Sequence, residues 1–299
     1  MTTSTASSSP PETGDVPGVP RTPAEVRALI GRLGVVPSRQ FGQSFLVDPF
    51  TADAEVALLD TAPTSRVVEV GGGLGLLTEA LLRRGHVGVT VIERDRRLAA
   101  HLRRTFGDRV KVVHGDALVV PLGSPDAVVG NLPFSTGTPI LQRLFRERVP
   151  RVVALLQREV VDRLTASPGT KQYGRLTIQA ALYGRAEAFQ VVPSLAFEPA
   201  PAVEGRILRF TARDGPLPVP SVARFESAVH LLFSGRRKQL GNLLPRVVHP
   251  PLEPDEVAAR AQWPPEWSHL RPEELAPEAY FRLAVALAGE SAAPGPAAG

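Results

Sequence analysis

The chain has 299 residues, 43% of them hydrophobic, and no cysteine, which predicts one domain of about 200 residues beside a smaller one. Without cysteine, disulfide bonds, cysteine-ligated zinc and thiol catalysis are excluded. The six histidines show no metal-like spacing, and we find neither a secretory signal nor an apolar run of about 18 residues. We therefore expect a cytoplasmic protein that binds no metal and no membrane.

The charge is weakly basic, with a formal net charge of +4 and a pI near 9.9. Lysine occurs only at Lys111, Lys171 and Lys238, so that arginine supplies nearly all of the 34 basic residues. Arginine suits bidentate contact with phosphate, but a G+C-rich genome produces the same bias. The charge thus permits a nucleic-acid partner without establishing one.

The N-terminal region begins with residues 1–20, which are mostly serine, threonine, proline and glycine and predict a disordered tail. Thr22 and Glu25 then form a capping box in front of apolar residues at helical spacing, which predicts a short amphipathic helix that ends at Gly34. A loop that contains glycine, amides and aromatics is predicted at 39–48. A second helix is predicted at 50–60.

The middle of the chain alternates between strands and helices. Strands are predicted at 66–70, 88–93, 110–113, 126–130 and 152–157, and helices at 75–84, 95–105 and 138–147. This alternation is typical of an α/β protein with a doubly wound, Rossmann-like sheet that carries helices on both faces. The sequence therefore predicts a mostly parallel sheet.

The C-terminal half is predicted to add two strands at the sheet edge and to be helical beyond them. We predict helices at 158–164, 175–183, 221–234, 236–247, 253–262 and 271–288, strands at 186–192 and 204–211, and a tail at 290–299. The two strands fit a hairpin at the sheet edge, and the proline-rich segment 215–220 is the predicted boundary. The predicted domains are an α/β domain at 21–214 and a small all-helical domain at 215–289.

A glycine-rich turn follows the first strand of the sheet, with Gly71, Gly72, Gly73 and Gly75 in one short stretch. Glycine allows a sharp turn and lets the backbone pass close to a ligand. A dinucleotide, a nucleotide or an adenosyl cofactor would suit such a turn, and so would a tight connection without a ligand. The turn alone therefore does not select a function.

Four polar or glycine positions follow successive predicted strands: Gly71, Glu93, Asp116 and Asn131. Because the carboxyl ends of parallel strands meet at one edge, these positions predict a single site. Glu93 suits the two hydroxyls of a ribose. Asp116 suits the amino group of an adenine, or serves only to cap a turn. This pair fits NAD and S-adenosylmethionine equally.

The tetrad Asn131-Leu132-Pro133-Phe134 separates these two cofactors. Pro133 restricts the residue before it, which would leave the Leu132 carbonyl and the Asn131 side-chain oxygen as two acceptors for an exocyclic amine. Phe134 offers a flat face for a base. Methylation of such an amine needs positioning rather than a strong base. The alternative is a proline turn with a purely structural role.

Three ordered motifs resemble those of the ribosomal RNA adenine N6-methyltransferases, which include KsgA-type dimethyladenosine transferases and Erm-type resistance methyltransferases. The motifs are Gly42 to Leu46, Glu69 to Gly75, and the tetrad. The resemblance implies S-adenosylmethionine as the cofactor and the tetrad as the catalytic clamp on the target adenine. With Gly73 of the turn included, the predicted cofactor contacts are Ser44, Leu46, Gly71, Gly73, Glu93, Asp116 and Asn131.

Later segments resemble the KsgA branch, at 156–164, 168–176 and 197–203. The resemblance places Phe197 near a flipped target base. It also makes Arg236, Arg237 and Lys238 a basic helix start that contacts RNA phosphates, although a solvated helix end would carry the same charges. The helical domain would then be an RNA-substrate domain.

Departures from the family pattern occur at several positions. Ser44 stands where the family usually has asparagine, Phe134 replaces the commoner tyrosine, and Gly72 replaces a proline or alanine, which predicts a looser turn. Ser135-Thr136-Gly137 and Glu204-Gly205 also differ from the pattern. These changes bear on the choice of RNA more than on the chemistry.

The main hypothesis is a monomeric enzyme that methylates N6 of adenines, two methyl groups per base, in ribosomal RNA of a small-subunit precursor. The first alternative is Erm-type methylation of large-subunit RNA, which confers macrolide resistance. The second is a non-catalytic ribosome-biogenesis factor that binds RNA, which the changes at Ser44 and Gly72 suggest. An NAD-dependent oxidoreductase is disfavoured because no residue resembles an acid for hydride transfer.

Overall fold

The computed structural model describes residues 16–37, 43–244 and 265–288. The strands are β1 (Phe45–Leu46), β2 (Arg66–Val70), β3 (Gly88–Glu93), β4 (Lys111–His114), β5 (Ala127–Asn131), β6 (Arg151–Gln157), β7 (Gly184–Val192), β8 (Phe197–Glu198) and β9 (Gly205–Ala212). The helices are α1 (Pro23–Leu33), α2 (Pro49–Leu59), α3 (Leu76–Arg83), α4 (Arg96–Phe106), α5 (Gly137–Arg146), α6 (Arg158–Leu164), α7 (Arg175–Tyr183), α8 (Val222–Ser234) and α9 (Pro277–Ala288). No helix in these ranges is long and apolar enough to cross a bilayer.

A seven-stranded sheet forms the centre of the fold, in the order β4-β3-β2-β5-β6-β9-β7. The pairs β2–β3, β2–β5, β3–β4 and β5–β6 are parallel. Strand order reverses beside β2, where successive crossovers leave to opposite sides, and ligands of such sheets bind at this point. The predicted α/β class with a central parallel sheet is confirmed.

The central strands of the sheet are runs of apolar residues whose side chains are buried on both faces. Helices α2 and α3 pack together, and α2 also packs on β5 and β6. Fully or nearly fully buried core residues include Val67, Val89, Val91, Ala127, Val129, Val153, Leu59, Leu77 and Leu81. Such runs are expected where helices cover both faces of a parallel sheet.

The chain divides into two compact units. The first contains residues up to Arg158 together with Phe189–Phe210, and the second contains Glu159–Ala188 with the residues from Thr211 onward. The predicted division into domains at 21–214 and 215–289 stays a prediction.

The N-terminal segment differs from the prediction in part. Residues 1–15 of the predicted tail lie outside the described residues, but Val16 and Val19 belong to the core of the first unit. Arg21 secures this segment because its Nη2 donates to both carboxylate oxygens of Glu79, at 2.7 and 2.8 Å. The two residues of this ion pair are 58 positions apart in the sequence. The composition of residues 1–20 therefore could not predict that part of this segment is ordered.

Two predicted helices near the C-terminus are wrong in their extent. Of the helix predicted at 236–247, residues 245–247 lie outside the described residues. The described part begins instead with a turn closed by Lys238 N and Gly235 O at 2.7 Å, and a 3₁₀ turn follows at Leu240–Asn242. Gly235 packs closely on Leu243, where a Cβ would lie 2.5 Å from Cδ2, so the chain folds back instead of extending α8. The predicted helix at 271–288 becomes a 3₁₀ turn at Pro272–Glu274 and then α9.

Proline explains the second of these differences, because Pro277 starts α9 and its ring disfavours helical geometry in the residue before it. The predicted helix at 253–262 and the predicted tail at 290–299 lie outside the described residues. In the described part, the C-terminal elements from α8 onward are all helical or 3₁₀, as predicted.

Tyr173 anchors the second unit through a buried hydrogen bond. Its hydroxyl donates to the Leu275 carbonyl at 2.6 Å, and the side chain is 0% exposed. We expect Tyr173→Phe to lower the free energy of unfolding by about 1–3 kcal/mol, because a buried carbonyl loses its partner. Urea unfolding of the full chain measures this change. An unaltered unfolding midpoint would show that the bond contributes nothing.

Candidate active site

One pocket of about 340 Å³ opens at the carboxyl edge of the parallel strands. Strands β2, β3, β4 and β5 end beside one another here because they are parallel and paired in register. The predicted site residues that line this pocket are Ser44, Leu46, Gly71, Gly73, Glu93, Asp116, Asn131, Leu132, Pro133, Phe134 and Phe197. All of them lie in the first unit, and the volume suits one small ligand.

The glycine turn after β2 requires glycine at three positions. Gly71, Gly73 and Gly75 have φ of 80°, 54° and 97°, values that other residues rarely adopt. The turn is fixed by bonds from Gly71 N to Ile92 O at 2.8 Å and from Gly75 N to Gly72 O at 2.9 Å. At Gly71 and Gly73 the backbone itself borders the pocket, because no side chain is present there.

Gly72 is closely packed, in contrast to the looser turn predicted for this departure. A Cβ at this position would run into Val91 Cγ1 and would lie 2.8 Å from Leu102 Cδ1. The β3 and α4 side chains thus fill the space that a proline or alanine would need. The side chains of Val91 and Leu102 fill the space that the missing side chain at Gly72 leaves. The glycine therefore gives no reason to expect a defective turn.

We expect Gly72→Ala to lower the free energy of unfolding by about 1–3 kcal/mol, because it overpacks the contact with Val91 and Leu102. Gly31→Ala is the matched control, since Gly31 lies within α1 and a Cβ there would meet no atom within 4 Å. That control should keep or gain stability. Thermal unfolding of both variants tests this, and equal midpoints would contradict it.

Glu93 is held rigidly at the end of β3. Its two carboxylate oxygens accept from Gly73 N at 2.9 Å and from Asp95 N at 2.8 Å. Burial raises the pKa of the Glu93 carboxyl above its usual value, against the lowering effect of these backbone donors. The side chain is thereby fixed between the glycine turn and the start of α4.

Asp116 combines a turn cap with a position in the pocket lining. One carboxylate oxygen accepts from Leu118 N at 2.8 Å, which is the turn-capping role considered for this residue. The other lies 3.7 Å from Arg94 Nε, and the side chain is 34% exposed. Capping thus orients the side chain and leaves part of it open.

The tetrad forms a closed turn at the end of β5. Pro133 O accepts from Thr136 N at 3.0 Å and from Gly137 N at 2.7 Å, and Leu132 N donates to Leu155 O at 3.1 Å. Phe134 is half-buried in the pocket lining. Both sides of the turn are therefore anchored, to β6 and to the start of α5.

Asn131 contacts a residue that the sequence analysis missed. The Asn131 amide forms hydrogen bonds with Glu55 only when its NH₂ group, and not its oxygen, faces the Glu55 carboxylate. In this orientation Nδ2 donates to Glu55 Oε1 at 2.8 Å and to Oε2 at 3.1 Å. This orientation turns the Asn131 side-chain oxygen away from Glu55. Glu55 lies on the same face of α2 as the buried residues Ala52, Val56 and Leu59. A carboxylate on such an apolar helix face was the feature of the sequence that could have identified Glu55 as a site residue.

Glu55 and Glu69 are buried carboxyls at this edge of the site, both 0% exposed. Burial raises the pKa of Glu69 to about 7, although Thr78 Oγ1 donates to its Oε2 at 2.6 Å. Burial also raises the pKa of Glu55 well above its usual value, and the nearby Glu69 adds to this. Within the described residues, Oε1 of Glu69 has no hydrogen-bond partner, and Glu69 lines the pocket.

A small antiparallel sheet brings distant residues into the lining. The Ser44–Leu46 segment, predicted as part of a loop, contains β1, which pairs with β8 so that Leu46 faces Phe197. Val47 N also donates to Ala196 O at 2.8 Å. Phe197 is consequently buried in the pocket wall. Gly42 of the first motif lies outside the described residues.

The basic cluster 236–238 lies in the second unit and does not start a helix. Arg236 Nε contacts Glu273 Oε2 at 2.5 Å, and Arg236 Nη2 donates to Thr170 O at 3.1 Å. Arg237 and Lys238 are exposed. One of the three predicted phosphate contacts therefore also holds the second unit together.

The comparison with protein families decides the family. A model of the ribosomal RNA adenine dimethylases matches residues 37–252, which is more than half of the chain and includes every residue of the pocket lining. The chain belongs to the ribosomal RNA adenine dimethylase family. The resemblance carried by the three motifs is thereby confirmed.

Relatives of both branches are similar to this family member. "Probable ribosomal RNA small subunit methyltransferase A" of Natronomonas pharaonis is 39% identical and covers 86% of this chain and 96% of its own. "Ribosomal RNA small subunit methyltransferase A" of Corynebacterium efficiens is 35% identical, with 88% and 94% covered. The structure of the 23S rRNA methyltransferase ErmE is 28% identical, with a TM-score of 0.66 and 82% and 99% covered.

Proposed function

We propose that the chain transfers methyl groups to N6 of adenines in small-subunit ribosomal RNA, two per base. The observation that carries the proposal is the shared pocket, in which the tetrad at the end of β5 meets Glu93 at the end of β3 and Asp116 just after β4. The residues proposed to bind a nucleoside, Glu93 and Asp116, therefore border the same cavity as the tetrad, which is proposed to bind the target amine.

The lining fits S-adenosylmethionine as the cofactor. The unpartnered oxygen of Glu69 and the carboxylate of Glu93 suit a ligand that is cationic and carries ribose hydroxyls. Glu93 would hold the ribose, Asp116 would accept from the adenine amine, and the backbone of Gly71 and Gly73 would border the ligand. When bound, the cofactor would supply a methyl group activated by a sulfonium.

The tetrad would position the target adenine. The Asn131 side-chain oxygen and the Leu132 carbonyl would accept the two N6 hydrogens, so that the nitrogen lone pair faces the methyl donor. Phe134 would stack on the base after it has left its helix. Transfer would form the N6–CH₃ bond and break the S–CH₃ bond, so that a neutral thioether leaves and the positive charge moves to N6. The N6 proton would then be acidic enough to pass to water, so no strong base is needed in the pocket.

The relatives support the small subunit as the source of the RNA. Two curated relatives that are named for small-subunit RNA are more similar to this chain, at 39% and 35% identity, than ErmE is at 28%. We infer a monomeric cytoplasmic enzyme whose substrate is a small-subunit precursor. The exposed Arg237 and Lys238 would contact RNA phosphates, with Arg236 holding the turn in place.

A parallel assay with radiolabelled S-adenosylmethionine tests the proposal. Purified protein is offered undermethylated small ribosomal subunits in one reaction and protein-free large-subunit RNA in the other. We expect label as dimethyladenosine in the small-subunit RNA. Label confined to large-subunit RNA would move the protein to the Erm branch. RNA binding without label in either would favour the non-catalytic alternative.

A further inference from the structure

Glu55 is a buried carboxyl on α2 that contacts Asn131. It is 0% exposed, and among the described residues no basic side chain forms an ion pair with it. The charge of Glu69, another acid, further disfavours the ionised form of Glu55. Its hydrogen-bond partner is the Asn131 amide. A carboxyl in such surroundings costs folding free energy, and an apolar residue of similar size is often more stable there.

The position on α2 is otherwise an ordinary core position. Thr51, Ala52, Val56 and Leu59 form the rest of the buried face, and α2 packs on β5 and β6. Nothing in this packing requires an acid. Residues that lower stability without a packing role are typical of functional sites, where stability and activity compete.

We propose that Glu55 is a positioning residue that fixes the side-chain amide of Asn131, with its NH₂ toward α2 and its oxygen toward the target amine. The inference rests on the proposed function of the tetrad. Glu55 does not line the pocket and acts only through Asn131.

An asparagine needs such a partner because its two amide orientations have nearly the same shape. Rotation by half a turn would replace the acceptor oxygen by an N–H donor, and the N6 hydrogens of adenine would then face a donor. In its ionised form the Glu55 carboxyl accepts only, so the ionised form selects the orientation with NH₂ toward itself. A leucine at position 55 would select neither orientation.

The asparagine content of the chain allows a direct spectroscopic test. Asparagine occurs only at Asn131 and Asn242, so protein labelled with ¹⁵N-asparagine shows two side-chain NH₂ pairs. We expect the Asn131 pair to be shifted by its bond to the carboxylate and to move toward the free-amide position in Glu55→Leu. The Asn242 pair is the internal control. An Asn131 signal that does not respond to the substitution would overturn the proposal.

Kinetics tests the consequence of this orientation. We expect Glu55→Leu to lower kcat about tenfold or more, since a misplaced group close to the chemistry has effects of this size, with little change in the KM for S-adenosylmethionine. Glu55→Gln keeps one acceptor and should recover part of the activity. In an Asn131→Ala background, Glu55→Leu should have no further effect on kcat.

Glu79→Leu is the matched control. Glu79 is a buried acid on α3, outside the pocket lining, and it pairs with Arg21. This variant should lose stability and keep kcat per folded molecule, whereas Glu55→Leu should keep or gain stability and lose kcat. A Glu55→Leu enzyme with wild-type kcat would overturn the positioning role. A wild-type enzyme without activity would instead refute the proposed function, and the amide spectrum would still report on the orientation.

Discussion

Replacement of Asn131 by alanine is expected to lower kcat for methyl transfer to RNA by about 100-fold or more. The variant loses the side-chain acceptor for the target amine, and Glu55 loses the amide that contacts it at 2.8 and 3.1 Å. Gly71, Glu93 and Asp116 remain in the pocket lining, so we expect the Kd for S-adenosylmethionine to change far less. Single-turnover kinetics and calorimetric titration measure the two quantities.

The control for this prediction is Asn242→Ala, which removes the other asparagine of the chain. Asn242 lies in the second unit and has no part in the proposed chemistry. The kcat of the Asn242→Ala enzyme should therefore equal that of the wild-type enzyme. An Asn131→Ala enzyme that keeps the wild-type kcat would contradict the role of the tetrad. A loss of kcat that accompanies a lost fold would be recognised by its unfolding curve.

The second large effect concerns the pH dependence of stability. Burial raises the pKa of Glu69 from 4.5 to about 7, so the folded state holds this proton more tightly than the unfolded state does. Its contribution is complete below the unfolded pKa and is lost as the pH rises through the folded pKa. Between pH 5 and 8 the loss should be on the order of 3 kcal/mol, at about 1.4 kcal/mol per unit.

Comparison with Glu69→Gln removes this contribution, together with the part of the Glu55 pKa shift that Glu69 causes. The pKa values of His86 and His101 are lowered, mainly by burial, and such groups add stability as the pH rises, which opposes the effect of Glu69. The difference in unfolding free energy between the wild-type protein and Glu69→Gln cancels the histidine contributions. We expect urea unfolding to show a difference that changes with pH in favour of the variant. A difference that is constant from pH 5 to 8 would refute the buried-acid account.

Local patterns predict most of the sheet and the common edge of the site. The strands β2, β3 and β5 are apolar runs that each end in glycine or a polar residue, so their carboxyl ends can be read from the sequence. The placement of Gly71, Glu93, Asp116 and Asn131 then follows from parallel pairing alone. The structure brings these four residues into one pocket. This placement could be predicted without knowledge of any long-range side-chain contact.

Long-range packing explains what could not be predicted. Leu46 and Phe197 meet through β1 and β8, which are only two residues long and leave almost no pattern. The Glu55–Asn131 contact joins α2 to the end of β5, and neither residue identifies the other in the sequence. Gly72 likewise reads as a loose turn until the side chains of Val91 and Leu102 are placed against it.

The C-terminal helices show the limits of periodicity in a different way. Apolar spacing across 236–247 resembles a helix, yet the close packing of Gly235 on Leu243 folds the chain into a turn. Arg236 then pairs with Glu273 at 2.5 Å, a contact that depends on this turn. Tertiary packing here overrides a local preference for helix.

The most direct test of the central claim is nucleoside mass spectrometry of small-subunit RNA. Undermethylated small subunits are incubated with S-adenosylmethionine and either the wild-type protein or Asn131→Ala, and the RNA is digested to nucleosides. The account predicts N6,N6-dimethyladenosine with the wild-type protein and almost none with the variant. Absence of methylated adenosine with the folded wild-type protein, or equal amounts with both proteins, would contradict it.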